Sequence, residues 1–168
     1  MTQTICIVDG HPDPDPKRLC SALANSYADG ARASGDEVSR INIRELKLPF
    51  LEKNDDFLTP PAEPVLSERE KIARADHVVI VFPLWLGGVP AKLRAFFEQA
   101  ARGGFLVAEP EKKGNWPRRM MAGKSARVII TMGMPGTVYR IMMDAGSLKA
   151  LERGILVFQA SSRYAIRS

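Results

Sequence analysis

An unbroken apolar run, Val78 to Phe82, constrains the fold of this chain more than any other feature. A β-branched run this short suits a parallel strand that helices bury on both faces. A loop with Pro83 and the pair Gly87-Gly88 follows. Pro90 then suits the first position of a helix, because a proline there loses no hydrogen bond. Apolar side chains recur after it at helical spacing: Leu93, Phe96, Phe97 and Ala100. A buried strand, an irregular loop and an amphipathic helix make half of a βαβ unit.

Four other segments predict the remaining strands of a parallel sheet. Residues 4–8 (TICIV) and 127–131 (RVIIT) are apolar runs like the first, and each suits a strand buried on both faces. Residues 37–43 alternate apolar and polar side chains, which is typical of an edge strand. Residues 161–168 allow a short fifth strand, and no sequence then remains for a covering helix. The pattern predicts a doubly wound α/β fold with one domain over residues 1–168.

The first helix is predicted to start within the proline-rich segment that follows residues 4–8. Asp15 and Pro16 suit the N-cap and the first helical residue. The buried face of this helix is expected at four positions: Leu19, Ala22, Leu23 and Tyr27.

Capping residues also predict the bounds of the later helices. Ser67 with Glu70 forms a capping-box pattern at the start of a short helix that ends near Ala75. Gly103-Gly104 ends the helix after the central strand. A last helix is expected over residues 146–158, where apolar side chains recur at helical spacing.

Composition excludes several classes of protein. The net charge is +5, but the densest basic segment, residues 112–127, carries no RNA- or DNA-binding motif, so no nucleic-acid partner is expected. Cys6 and Cys20 form no CxxC pair, and the chain opens without a leader pattern, so a reduced, cytoplasmic protein is expected. No segment is long enough to span a membrane. His11 and His77, the only histidines, have no further ligands at metal-site spacing, so no metal is expected.

Three irregular loops are expected at one edge of the sheet, since parallel strands place their carboxyl ends together. They are residues 9–17, 83–89 and 132–139. The first leads into a helix N-terminus with two basic residues in its opening turn, which suits a phosphate group. The other two carry glycines together with flat or flexible apolar side chains: Leu84, Trp85, Met132, Met134 and Tyr139. A planar ring with a phosphorylated tail, as in a flavin nucleotide, fits this combination.

The same loops resemble those of a known family. The motifs are PLWLGGVPAKLRAFFEQ…GGF (83–105), TMGMP…VYR (131–140) and the opening IVDGHPDPD, and together they resemble the flavodoxin-like NAD(P)H dehydrogenase (quinone) family. The resemblance implies a five-stranded parallel sheet of order 2-1-3-4-5, with FAD or FMN as cofactor. It also implies a homodimer with the active site at the interface. The chemistry implied is hydride transfer from NAD(P)H to flavin N5, and then to a quinone or a similar acceptor.

The resemblance assigns roles residue by residue. His11 and the turn Pro16, Lys17, Arg18 and Leu19 would hold the phosphate and ribityl portion of the flavin. The isoalloxazine ring would rest on two segments, largely through backbone groups: Pro83, Leu84, Trp85 and Leu86, and Thr131, Met132, Gly133 and Met134. Tyr139 resembles the family tyrosine that faces the flavin and the substrate pocket, where it would donate a hydrogen bond to a quinone oxygen or shuttle a proton.

The chain departs from the family at the first loop. Pro16-Lys17-Arg18 replaces the usual Ser-Phe-Asn type of turn, and Asp13 and Asp15 put negative charge beside the expected phosphate. The histidine that some members carry after the tyrosine is absent from residues 140–146. An alternative function therefore stays open: a regulatory or ancillary subunit with the same fold and little or no catalysis, for example of an ion-efflux system. An electron-transfer flavodoxin fits less well, because those proteins are acidic.

Overall fold

The structure, a computed structural model, describes residues 2–108, 118–119 and 123–151. The strands are β1 (Thr4–Asp9), β2 (Glu37–Asn42), β3 (His77–Pro83), β4 (Val107–Ala108), β5 (Arg118–Arg119) and β6 (Ser125–Thr131). The helices are α1 (Leu19–Ala33), α2 (Val65–Arg74), α3 (Ala91–Ala100), α4 (Gly136–Met142) and α5 (Gly146–Leu151), with 3₁₀ turns at Ile43–Glu45 and Asn54–Leu58.

The central sheet has four parallel strands among the described residues, in the order β2-β1-β3-β6. This confirms the predicted strands at residues 4–8, 37–43, 78–82 and 127–131, and it confirms β2 as an edge strand. The expected order 2-1-3-4-5 is therefore found as 2-1-3-4. The fifth strand, predicted over residues 161–168, lies outside the described residues, and so does the place where a covering helix was predicted to be missing. The two-residue strands β4 and β5 form a separate antiparallel pair.

Both faces of the sheet are covered, which explains why its strands read as continuous apolar runs. On one face, Val79 and Val81 pack with the small residues of α1. On the other face, Ile80 and Phe82 pack with α2 and α3. The α3 side chains predicted from helical spacing are all buried: Leu93, Phe96, Phe97 and Ala100.

Helix α1 differs from its prediction in both start and register. It begins at Leu19, with Arg18 as N-cap, three residues later than expected. Leu19 is 62% exposed, and Ala22 is exposed as well. The residues that face the sheet are small, and they let the helix approach it closely: Cys20, Ser21, Ala24, Ala28 and Ala31. Only Leu23 and Tyr27 of the predicted face pack against this cluster, and both are partly buried.

Helix α2 also begins differently from its prediction. It starts at Val65, so Ser67 is its third residue and not its N-cap. The capping-box prediction is wrong because the Ser67 N–H already bonds upstream to Glu63 Oε2, at 3.2 Å. The helix ends at Arg74, next to the predicted end.

The bounds of the later helices agree more closely with prediction. Pro90 is the N-cap of α3, one position before the place expected for it. Gly103 and Gly104 follow α3 with φ of 61° and 72°, a left-handed conformation that favours glycine. Helix α5 starts at Gly146 as predicted, and residues 152–158 lie outside the described residues. No helix within the described part of the chain is long and apolar enough to cross a membrane.

Candidate functional site

The loops after β1, β3 and β6 leave the sheet from fixed points at one edge. The Gly10 N–H donates to the Val81 carbonyl at 2.7 Å, and the Leu84 N–H donates to the Thr131 carbonyl at 2.8 Å. Each bond extends the strand pairing one step past the strand ends. Gly10 is required here, because a Cβ at this position would lie 2.7 Å from Leu93 Cδ2 and 3.0 Å from the Val81 carbonyl oxygen. The sheet therefore brings the three predicted loops together.

The loop after β3 closes on itself as a tight turn. Trp85 and Gly88 exchange both backbone hydrogen bonds, at 3.1 and 2.9 Å. Between them, Leu86 and Gly87 have φ of 48° and 74°, as in a type I′ turn. Leu86 is fully exposed and Trp85 is 49% exposed. The turn thus holds two large apolar side chains in solvent, which proteins do mainly where something binds.

His11 joins the first loop to this turn. Its imidazole meets the indole of Trp85 edge-on, with ring centroids 5.8 Å apart. His11 is buried, and its Nδ1 accepts the Asp13 N–H at 3.1 Å. Burial lowers the pKa of His11 below its usual 6.5. His11 is therefore a neutral ring in a packed position, with Nδ1 engaged within the loop.

Residues 9–17 form a ladder of four successive turns. In each, a side chain accepts the backbone N–H two residues later: Asp9 Oδ1 from His11, His11 Nδ1 from Asp13, Asp13 Oδ1 from Asp15, and Asp15 Oδ1 from Lys17. The distances run from 2.8 to 3.3 Å. Three of the residues between are prolines, which have no N–H: Pro12, Pro14 and Pro16. The prediction that Asp15 caps α1 is wrong, because its carboxylate caps this last turn instead and the helix starts after it.

Arg18, at the end of this loop, is paired with the loop's own carboxylates. Arg18 Nη2 lies 2.6 Å from Asp13 Oδ2, and Arg18 Nε lies 3.8 Å from Asp15 Oδ2. The hydrogen bond from the Asp15 backbone and the nearby Arg18 hold the pKa of Asp13 below its usual value. Of the four turn residues expected to hold a phosphate beside His11, Pro16 lacks a donor, and Lys17 and Arg18 use their backbone N–H groups within the loop. Leu19 presents its side chain to solvent.

A buried ion cluster that the sequence analysis missed anchors the start of this loop. Asp9 is fully buried, and its Oδ2 accepts from Ser21 Oγ at 3.0 Å and from Arg40 Nη2 at 2.9 Å. Arg44 Nη2 lies 3.1 Å from the same oxygen. The two arginines come from β2 and from the 3₁₀ turn after it. An aspartate directly after a buried strand, with an arginine inside the neighbouring strand, is the signal that could have indicated it.

The end of β6 lies against both α1 and segment 83–86, and the loop that follows starts from there. Thr131 Oγ1 is 3.2 Å from Cys20 Sγ, and burial raises the pKa of that thiol. Met132 is partly buried and packs against the core. Gly133 is open to solvent, since a Cβ added to it would have nothing within 4 Å. Segments 83–86 and 131–134 are therefore neighbours, joined at Leu84 and Thr131, and their shared role at a flavin ring stays a prediction.

Tyr139 lies in α4 and is fully buried. Its hydroxyl oxygen accepts the Leu148 N–H at 3.3 Å. This placement differs from the expectation of a side chain that faces an open pocket, because the phenol fills the space between α4 and α5. Its contact with a cofactor or acceptor stays a prediction.

An apolar cavity of about 350 Å³ adjoins the turn after β3. Gly88 and Val89 of that loop form one side of it. The remaining walls come mainly from apolar residues of the 3₁₀ turn at Asn54–Leu58, of α3 and the segment after it, and of α5, among them Phe57, Phe97, Leu106 and Leu151. Across the residues that the structure describes, no cluster of histidine, cysteine and carboxylate side chains could hold a metal ion.

Two curated quinone oxidoreductases are among the proteins whose sequences are similar to this chain. An FMN-dependent NADH:quinone oxidoreductase of Alteromonas mediterranea is 27% identical over 128 residues, which are 67% of this chain and 62% of that protein. NAD(P)H dehydrogenase (quinone) 1 of Rattus norvegicus is 30% identical over 98 residues, which are 56% of this chain and 35% of that protein. This chain therefore matches less than two thirds of the length of either relative.

The fold is also that of solved structures. An FMN-dependent NADH-azoreductase of Bacillus anthracis, solved in complex with FMN, matches with a TM-score of 0.72 at 17% identity, over 99% of this chain and 86% of that one. The family model described as Flavodoxin-like fold matches residues 3–158. The resemblance to flavodoxin-like NAD(P)H dehydrogenases (quinone) found in the loop motifs is thus confirmed, and this chain belongs to the Flavodoxin-like fold family.

Proposed function

We propose that this chain is a flavin-dependent NAD(P)H oxidoreductase that reduces a quinone or a similar acceptor. The observation that carries the proposal is the junction of segments 83–86 and 131–134 at the carboxyl edge of the sheet, through the Leu84–Thr131 hydrogen bond. Ligands of open α/β sheets bind at this edge. The names of the curated relatives support NAD(P)H, a quinone and FMN. They give no support to FAD.

Segments 83–86 and 131–134, the two ring segments, would bind a flavin ring partly through backbone N–H groups that have no acceptor within the described part of the fold. The N–H groups of Leu84 and Trp85 already bond within the fold. The N–H groups of Leu86, Gly133 and Met134 have no such partner among the described residues, and they are among the donors available to a ring oxygen or nitrogen. Trp85 offers a half-exposed indole for contact with a planar ring.

A bound flavin would supply the hydride chemistry, and the chain's own groups would supply orientation. The N–H groups of Leu86, Gly133 and Met134 would hold developing negative charge at the ring. The cavity beside Gly88 and Val89 would accept an apolar acceptor and exclude water from it. Tyr139 is the proposed proton donor to the acceptor: its hydroxyl oxygen accepts the Leu148 N–H and keeps its own proton to donate, and this role requires the acceptor to reach the buried hydroxyl.

A homodimer is part of the proposal. The turn after β3 and the end of α4 expose apolar side chains on one side of the site: Trp85, Leu86, Ile141, Met142 and Met143. Gly87 lies next to Met143, whose Sδ is 3.7 Å from the position of a Cβ on that glycine. Exposed apolar groups of this size are typical of surfaces that a partner covers, and a second copy would cover them beside the active site.

The cytoplasmic location stays a prediction; both cysteines are free and buried.

The test is turnover by the purified full chain. We expect NAD(P)H oxidation, followed by absorbance, with FMN and a soluble quinone, at a rate that depends on all three. Trp85→Ala should reduce the rate, whereas Phe50→Ala should not, because Phe50 is exposed but lies outside the three loops. Absence of flavin binding to the full chain, by absorbance after gel filtration and by titration, would overturn the proposal.

One observation favours the alternative of an ancillary subunit with little or no catalysis: the hydrogen-bond ladder of residues 9–17 occupies the loop where a flavin phosphate was expected. Such a subunit would bind a partner protein and show little or no quinone reduction at any flavin concentration. The turnover assay therefore separates the two functions.

A further inference from the structure

The backbone of the first loop offers a phosphate almost no hydrogen-bond donors. A phosphate monoester is held by backbone N–H groups, hydroxyls and cationic side chains. Every N–H that the prolines leave in residues 10–17 already has an acceptor: Gly10 donates to Val81, His11 to Asp9, Asp13 to His11, Asp15 to Asp13 and Lys17 to Asp15. The segment 9–19 contains no serine or threonine. A phosphate could gain these donors only by breaking the ladder.

The charges of the loop give a phosphate little net attraction, because Asp13 and Asp15 offset the exposed Lys17 and Arg18. Asp13 and Asp15 would face a dianion with two carboxylates, and a lowered pKa keeps Asp13 ionised at neutral pH. Arg18 is bonded to Asp13 at 2.6 Å and lies 3.8 Å from Asp15. A phosphate would share this guanidinium with both carboxylates, and the two positive and two negative side chains of residues 13–18 leave little net attraction for an anion.

The N-terminus of α1 keeps two donors. The N–H groups of Leu19 and Cys20 have no acceptor among the described residues, while the Ser21 N–H bonds to the Arg18 carbonyl at 3.0 Å. No side chain caps the helix. Two N–H groups directly after a loop with two carboxylates make a weak anion site, compared with a full turn of free N–H groups.

The two ring segments, unlike the first loop, keep backbone N–H groups that are free to bind a ligand. Within the described residues, Leu86, Gly133 and Met134 keep N–H groups without an acceptor, and Trp85 keeps exposed area. We infer that this chain recognises its flavin through the ring and not through the phosphate, so that riboflavin binds about as tightly as FMN. The inference rests on the proposed function, because it takes a flavin as the ligand of this edge. It implies a flavin that exchanges with solvent as a diffusible ligand and is not retained as a tightly bound group.

The experiment is a calorimetric or fluorescence titration of the full chain with FMN and with riboflavin under identical salt and pH. We expect the two dissociation constants to agree within about tenfold, which corresponds to about 1.4 kcal/mol. Inorganic phosphate should not displace bound riboflavin or FMN. FMN binding that is tighter than riboflavin binding by more than about tenfold would overturn the inference and leave the proposed function standing. Binding of neither compound would overturn the proposed function itself, and the inference with it.

Two substitutions of Asp15 test whether the hydrogen-bond ladder of the first loop weakens binding of the flavin phosphate. Asp15→Ala frees the Lys17 N–H and removes one negative charge, whereas Asp15→Asn removes the charge and keeps a side-chain oxygen for the turn. We expect Asp15→Ala to strengthen FMN binding relative to riboflavin by about tenfold and Asp15→Asn to have a smaller effect. A thermal melt of each variant checks folding, and Asp15 is exposed enough for both to be tolerated. An unchanged ratio of the two dissociation constants in Asp15→Ala would overturn the inference that the ladder excludes the phosphate.

Discussion

The imidazole of His11 meets the indole of Trp85 edge-on, with ring centroids 5.8 Å apart and ring planes at 84°. This contact is a direct link between the loop after β1 and the turn after β3. Of the two side chains in this contact, His11 is buried and Trp85 is half-exposed. A ligand that contacts Trp85 therefore also affects the packing of the first loop.

Trp85 should report binding at the ring site. With Trp116→Phe, Trp85 is the sole tryptophan of the chain, and its emission should be quenched as a flavin is titrated in. Trp85→Ala should weaken flavin binding by about tenfold, since an aromatic contact of this size contributes about 1 kcal/mol beyond its area. Phe50→Ala is the matched control. Equal flavin affinity of the Trp85→Ala and Phe50→Ala variants would contradict the assignment of the ring site.

The two histidines should make the fold less stable in mild acid. Burial lowers the pKa of His11 below 6.5, and burial with the nearby Arg127 lowers that of His77. Just below pH 6.5 the unfolded chain therefore binds more protons than the folded chain, so the free energy of unfolding rises with pH there. The stabilisation is fully present above pH 6.5 and is lost as the pH falls through the lowered pKa of each folded histidine. Urea denaturation at about pH 7 and about pH 5.5 measures the loss, and NMR titration of the two rings would contradict it if either pKa lay at or above 6.5.

The buried ion cluster should be sensitive to removal of its carboxylate. Asp9→Ala leaves Arg40 and Arg44 without their shared partner, and breaking a buried pair in this way costs about 3 to 5 kcal/mol. Asp9→Asn keeps an acceptor oxygen for the Ser21 hydroxyl and the arginines, so it should cost less. Urea denaturation of both variants measures the difference. Wild-type stability of Asp9→Ala would show that the cluster is solvated in solution.

The strands could be predicted because a strand that is buried on both faces has a run of consecutive apolar residues in the sequence. Val78 to Phe82 needs no alternation when helices cover both faces, and the structure buries every residue of the run. The start of α1 was not predictable in the same way. Asp15-Pro16 is compatible both with a helix cap and with a turn that precedes the helix, and the choice depends on the histidine and aspartate acceptors before it.

The candidate site was predictable at the level of loops and less so at the level of atoms. The ends of parallel strands fix where segments 83–86 and 131–134 meet. Which N–H groups stay free depends on the turn that Trp85 and Gly88 form. The burial of Tyr139 depends on α5, which packs over it from nine residues later in the chain. The Asp9 cluster joins separate elements, so no local pattern contains it.

Tyr139→Phe separates a structural from a catalytic role. Removal of the hydroxyl leaves the Leu148 N–H without its acceptor, which should lower the free energy of unfolding by about 1 to 2 kcal/mol. If Tyr139 also donates a proton to the acceptor, kcat should fall by about a hundredfold with KM nearly unchanged. Loss of stability with unchanged kcat would contradict the catalytic role and leave the structural one.

Gly10 and Gly30 offer a paired test of the sheet edge that carries the site. In Gly10→Ala the new Cβ would lie 2.7 Å from Leu93 Cδ2, 3.0 Å from the Val81 carbonyl oxygen and 3.1 Å from the Phe82 Cβ. Two of these atoms belong to the rigid frame of β3, so the loop must move, and we expect a loss of about 2 kcal/mol in the free energy of unfolding. Gly30 lies inside α1 with nothing within 4 Å of a Cβ position, so Gly30→Ala should stabilise by about 0.5 to 1 kcal/mol. Urea denaturation measures both, and flavin titration should show weaker binding for Gly10→Ala only. Equal stability of the two variants would mean that the first loop does not approach β3 as closely as the Gly10–Val81 hydrogen bond requires.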